Sequence, residues 1–263
     1  MTAHIEELFE VIKNKNLDFV YNTNPIIQKF HESTSNLRDY LLEYERLKFS
    51  QGKLPQLSQN SPTKLSPKYQ LDFLGQDIPT VINQFCISLA GAHYYSSSTS
   101  DTTQHYFFKH TDLFFWNNID TAFRMASSGW DRVSHLLKLA FNLNIDKYNI
   151  ANVLKAIPKK EMKISQDANY KFLKNFRDSD FGELESGLGA GARNETTHVL
   201  TRNTRFFLEY LEQFNPNGNK FNIRRDEELK LVEKHYWLLR QGLDKAFNLI
   251  GEHFDKKFYL YSK

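Results

Sequence analysis

The 263-residue sequence holds a single cysteine, Cys86. One thiol excludes an intrachain disulfide and any cysteine-based zinc cluster. Its neighbours Ile82, Phe85, Ile87 and Leu89 mark it as a buried apolar thiol rather than a nucleophile. Methionine (3), proline (7) and glycine (11) are scarce as well. A β-sandwich or barrel needs turn residues roughly every 8–12 positions, and this chain does not supply them. No window approaches the ~20 apolar residues of a membrane span. The opening stretch MTAHIEELFEVIKNKN carries Glu6, Glu7 and Glu10 and has no unbroken apolar core, unlike a signal peptide. These absences lead us to expect a soluble, cytoplasmic chain without a membrane segment. An excess of either charge is missing too: 34 basic residues against 31 acidic leave +3. That balance excludes a polybasic coat but permits a local basic site.

What the chain does have is aromatic residues, 14% of the total, set in helical periodicity. Residues 3–15 read as an amphipathic helix on Ile5, Leu8, Phe9 and Ile12. Asn24 before Pro25 suits a helix start, and that helix runs to about residue 50 on Ile26, Phe30, Leu37, Leu41, Tyr44 and Leu47. The stretch 52–67 carries three prolines and no apolar period, and reads as a loop or linker. A hydrophobic helix is expected from Ile78 to Tyr95, broken by SSSTSDTT at 96–103. Segment 104–143 is the most aromatic, with Phe107, Phe108, Phe114, Phe115, Trp116, Phe123, Trp130 and Phe141, and the SSG at 127–129 predicts a kink or break. Its rings have few basic neighbours, so they read as core rather than as a base-stacking platform. Residues 149–177 give one or two shorter helices rich in lysine.

A glycine-rich stretch then leads to a helix over about 192–214, followed by a turn at NPNGN, 215–219. The last helix is expected from Arg225 to Phe258. Its seam of Leu229, Val232, Tyr236, Leu239, Leu243, Ala246, Ile250 and Phe254 packs either within the chain or against a second copy. The fold class is therefore all-α, a long-helix bundle, divided into an N-terminal helical hairpin (1–50), a linker (51–70) and a bundle (71–263).

One constellation can do chemistry: RNETTH, Arg193 to His198. On a helix Asn194 and His198 lie one turn apart on one face, and Thr201, Arg202 and Arg205 extend the stripe. Arg193 lies about 140° from His198 around the axis. It reaches the histidine by folding back in the first turn, or through a partner chain. A helix start after glycines offers unpaired N–H groups and a positive dipole end to a phosphate. A histidine moves protons near neutral pH, and an arginine stabilises charge on a phosphoryl group. These are the parts of a metal-free ribonuclease: a base removes the 2′-hydroxyl proton, the oxygen attacks the adjacent phosphate, and arginine stabilises the phosphorane. A surface helix with solvated His and Arg is the plainer alternative.

Arg193-Asn194-x3-His198 resembles the signature of the HEPN superfamily (higher eukaryotes and prokaryotes nucleotide-binding domain): Arg, a polar residue, and His four to six residues after the Arg. Residues 115–137, FWNNIDTAFRMASSGWDRVSHLL, also resemble the long helix pair of stand-alone HEPN proteins, and the similarity extends over roughly 78–260. The resemblance implies a HEPN-type bundle in which two chains bring their motifs together. His198 would be general base or acid, Arg193 the phosphate and transition-state contact, and Asn194 the residue that orients them. It further implies a homodimeric, metal-independent endoribonuclease, a toxin or host-defence effector, with RNA as substrate and a regulatory or antitoxin protein as a further partner. Members that have lost activity act as nucleotide- or RNA-binding, partner-regulated modules, which is the alternative reading.

Arg202, Arg205, Lys160, Lys163, Lys171 and Lys174 are the candidate RNA or phosphate contacts, although a lysine-rich helix face is also an ordinary solvated one. No cofactor is expected: the nine histidines are scattered, HExxH and Walker patterns are absent, and Gly187, Gly189 and Gly191 follow no strand.

Overall fold

A computed structural model describes residues 2–17, 25–51, 66–97, 110–145, 149–181, 184 and 219–260. Among them there is no strand, and the chain is all-α. Helices α1 (Thr2–Asn14), α2 (Pro25–Ser50), α3 (Pro67–Ser97) and α4 (His110–Ala140) are followed by α5 (Ile150–Lys160), a 3-10 turn (Met162–Gln166) and α6 (Ala168–Ser179). The long helix α7 (Asn219–His253) and a last turn, α8 (Lys257–Leu260), complete the order. No helix among the described residues is long and apolar enough to cross a membrane.

The chain divides into two compact units. The first comprises Met1–Phe19, Val81–Ser128 and Ser179–Leu239; the second comprises Val20–Thr80, Gly129–Asp178 and Arg240–Lys263. Both draw on segments from across the sequence, and α1 and α2 of the expected N-terminal hairpin fall in different units.

In the first unit α3 contributes Val81, Ile82, Phe85, Cys86 and Leu89, all buried, and the Phe85 ring meets Tyr236 of α7 edge-on at 5.2 Å. Cys86 is buried and forms no disulfide, in keeping with its apolar neighbours. From α4 come Phe115, Trp116, Ile119 and Phe123, again as core. Phe114, next to them, faces solvent but stacks on Tyr95 at 5.2 Å.

The second unit is built around Trp130. Its indole lies flat on the Phe176 ring of α6, centroids 3.8 Å apart. On α7, a Cβ placed on Gly242 would come within 2.2 Å of the same indole. Tyr170 ties α6 to α5 by donating its hydroxyl to the Leu154 carbonyl at 2.8 Å. Phe30 of α2 packs edge-on against Phe247 of α7 at 5.8 Å, and Lys29 pairs with Asp244 beside it. Arg132 of α4 pairs with Asp77 of α3 at 2.5 Å. After α4 the chain reverses through Asn142, whose φ of 45° is left-handed and whose side chain donates to the Phe258 carbonyl at 2.8 Å.

Several expectations need correction. The SSG at 127–129 does not end a helix, because α4 runs through it from His110 to Ala140. Ser127, Gly129 and Trp130 are all buried there. The propensity penalty of a serine or glycine, about 0.5–1 kcal/mol, is small beside the burial of an adjacent tryptophan, gross roughly 4–6 kcal/mol. Helix α3 starts at Pro67, not Ile78, and carries Pro79 inside it. Pro79 reads as a boundary locally, but Leu71, Leu74 and Ile78 bury one face ahead of it and keep the helix going. Helix α7 starts at Asn219 rather than Arg225 and stops at His253, with Lys257–Leu260 as a separate turn. Leu47 and Phe9, expected on buried stripes, are 55% and 46% exposed. Ser96 and Ser97 belong to α3. The expected helix at 192–214, the proline-rich stretch 52–65 and Phe107 and Phe108 lie outside the described residues.

The Trp130 packing makes a prediction. Alanine normally gains about 1 kcal/mol over glycine in a helix, yet Gly242→Ala is expected to lower stability by about 1–3 kcal/mol through overpacking. Urea unfolding checks this; an unchanged or raised midpoint contradicts the packing.

Candidate functional site

Of the sequence-derived candidates, Arg193, Asn194, His198, Arg202 and Arg205 lie outside the described residues. Lys160, Lys163, Lys171 and Lys174 lie within them, in the second unit. Local sequence explains how those lysines are displayed. In α5 the buried residues are Ile150, Val153, Leu154 and Ile157, a single face, which turns Lys155, Lys159 and Lys160 outward. In α6 Tyr170, Leu173 and Phe176 are buried, so Lys171 and Lys174 stand one turn apart on the solvent side. Lys163 is exposed on the 3-10 turn between them.

The two carboxylates that interrupt this basic run both serve as caps. Glu161 accepts from the Lys163 backbone N–H at 3.4 Å. Asp167 caps α6, its Oδ1 accepting from the N–H groups of Asn169 (2.6 Å) and Tyr170 (3.1 Å). No ion pair joins Lys155, Lys159, Lys160, Lys163, Lys171 or Lys174 to another described residue. Their charge is left to solvent and to whatever binds there. Such a face holds polyanions through screened, non-directional attraction.

Four buried polar side chains of the first unit escaped the sequence reading. Asp120 on α4 and Arg225, Glu228 and His235 on α7 are each 3% exposed or less. The signal was present: residues 225, 228, 232, 235 and 239 fall on one face at steps of three and four. Attention to the apolar seam alone hides it. The Arg225 guanidinium sits 4.3 Å from the centre of the Phe115 ring and reaches the Tyr95 carbonyl at 3.5 Å. Nearby on α7, Lys234 pairs with Asp180 at 2.6 Å. Burial alone would raise the Asp180 carboxyl, but hydrogen bonds from Lys234 and Ser179 hold it below the ordinary value.

Two histidines are held neutral by their surroundings. His93 on α3, with Nε2 3.7 Å from Glu233, is pushed down to about 4 by burial, with Lys15 adding to the effect. In the second unit His135 on α4 contacts Gln70 at 2.9 Å and is also lowered to about 4. Burial dominates there; Lys138 and Arg132 add to it and Asp77 opposes it. A neutral imidazole near pH 7 hydrogen-bonds without carrying charge, as His135 does with Gln70.

Because both folded values lie below the ordinary 6.5, the unfolded chain binds more protons between the two limits. The stabilisation is complete above about pH 6.5 and is lost as pH falls toward 4. Each pH step of one within that window costs up to about 1.4 kcal/mol per histidine. Urea midpoints are expected to fall steadily from pH 7 to pH 4.5. The fall should be shallower in His93→Gln/His135→Gln, and an equal slope in that variant contradicts the assignment.

No known protein family, curated protein or solved structure matches the chain.

Proposed function

We propose that the chain is a homodimeric, metal-independent endoribonuclease of the HEPN type, working in the cytoplasm as a toxin or host-defence effector. The observation that carries this reading is Arg193-Asn194-x3-His198, set after a glycine-rich approach late in an all-α chain. His198 takes the proton from a ribose 2′-hydroxyl. The freed oxygen attacks the adjacent phosphorus, and Arg193 holds the phosphorane charge. Asn194 orients the pair, and a second copy of the chain completes the site. The unpaired lysines of α5, the 3-10 turn and α6 support RNA as the substrate, since they offer a backbone-binding face with its own carboxylates engaged as caps. Arg202 and Arg205 would extend the phosphate contacts, and an antitoxin-like protein would restrain the activity.

Wild-type protein is expected to cut RNA in EDTA, and His198→Ala to lose at least ~100-fold in rate, the scale of one acid–base group. Intact RNA with every substrate tried, or equal cutting by the variant, sinks the assignment. Saturable RNA binding without new product ends favours the non-catalytic binding module instead.

The lysine face is tested separately. Replacing Lys160, Lys163, Lys171 and Lys174 by alanine should weaken single-stranded RNA binding whatever its sequence. It should also reduce the salt dependence, log K against log salt, by roughly 3, at ~0.7 per lost phosphate contact. An unaltered slope means those lysines only meet solvent.

A further inference from the structure

The geometry points to a divalent-metal site of zinc type formed by Asp167, Glu252 and His253 in the second unit. Asp167 caps α6, while Glu252 and His253 close α7, so the set joins two helix ends 86 positions apart in sequence. No spacing rule applied along the chain finds it. One ligand atom from each residue lies within 4.8 Å of the other two.

The donors suit the ion. One imidazole nitrogen and two carboxylate oxygens make a mixed, borderline set that binds zinc or a similar transition ion; calcium and magnesium prefer oxygen alone. Two ligands held at about 2.1 Å from one ion, at tetrahedral or right angles, stand roughly 3.0–3.4 Å apart. His253 Nε2 and Asp167 Oδ2 are 2.9 Å apart, close to that span. The Asp167 carboxylate is fixed in advance, because its Oδ1 accepts the two backbone N–H groups at the start of α6. Oδ2 is left aimed at His253. This is the kind of outer hydrogen bonding that orients a metal-bound carboxylate.

Glu252 supplies the independent observation. Asp167 and His253 account for one another as a cap and an ion pair, and Glu252 places a second carboxylate within reach of both. Glu252 makes no hydrogen bond or ion pair with another described residue. Its exposure leaves it free to close the remaining distance. Asp167 and His253, with side chains 12% and 24% exposed, place the ion at the edge of the fold rather than in its core. A cation would take over the position now bridged by the Asp167–His253 hydrogen bond and clamp the end of α7 to the start of α6. The role is structural and independent of the RNA chemistry proposed above.

The test is zinc binding to the metal-stripped full chain, by calorimetry and by thermal unfolding, for wild type, Glu252→Gln and His253→Gln. One zinc per chain is expected for wild type, with a raised unfolding midpoint and no comparable response to calcium. Both variants should bind at least tenfold more weakly and show no midpoint shift. Glu252→Gln changes an exposed side chain that supports nothing else, so it decides the matter even where His253→Gln fails to fold. Absence of zinc uptake at submillimolar free zinc overturns the proposal, and so does uptake by Glu252→Gln equal to that of wild type.

Discussion

The second unit depends on one close contact, the Trp130 indole lying flat on Phe176 with Gly242 leaving no space for a side chain on its α7 flank. The indole cannot be accommodated unless α4, α6 and α7 stand in one particular register. Dense packing of this kind transmits displacement instead of absorbing it. A shift of α6 along its axis would move Asp167 at its cap and Lys171 and Lys174 on its outer face together. A shift of α7 would move His253 away from Asp167. The basic surface and the helix-end cluster are therefore both consequences of how a large ring is seated beside a residue with no Cβ.

Helical periodicity made much of the fold legible. The α7 seam is a clear case: Leu229, Val232, Tyr236, Leu239, Leu243, Ala246 and Ile250 are all buried, while Phe254, its expected last member, falls past the helix end and is only partly buried. Pro25 marked the start of α2 correctly, since the helix begins there; Asn24, the expected cap, lies outside the described residues. A local breaker signal misled where burial outweighed it. Ser127, Ser128 and Gly129 sit inside α4. The apolar residues on either side decide, because their burial is worth several times a local propensity term.

The candidate site was legible to a different degree. Lysines at 155–174 were read as one basic block, and the alternating burial of α5 and α6 explains why their side chains face outward. That Glu161 and Asp167 are engaged as caps, leaving the lysines without ion pairs, is a matter of backbone geometry that composition does not carry. The buried charges Asp120, Arg225 and Glu228 were overlooked because sequence reasoning assigns charged residues to the solvent face. The Asp167, Glu252 and His253 grouping was out of reach for another reason: its members are neighbours only after folding.

The proposed ribonuclease activity rests on the chemistry of Arg193, Asn194 and His198: a cation, an orienting amide and a base, with no need of a metal. Its central claim is attack by the ribose 2′-hydroxyl on the neighbouring phosphate. Analysis of the termini left on an RNA carrying a single 2′-deoxy substitution at the cleavage position tests that claim most directly. Attack by the 2′-hydroxyl predicts 2′,3′-cyclic phosphate ends on the all-ribose strand and no cleavage at the deoxy position. Cleavage at the deoxy position, or products ending in a 3′-hydroxyl, would contradict it.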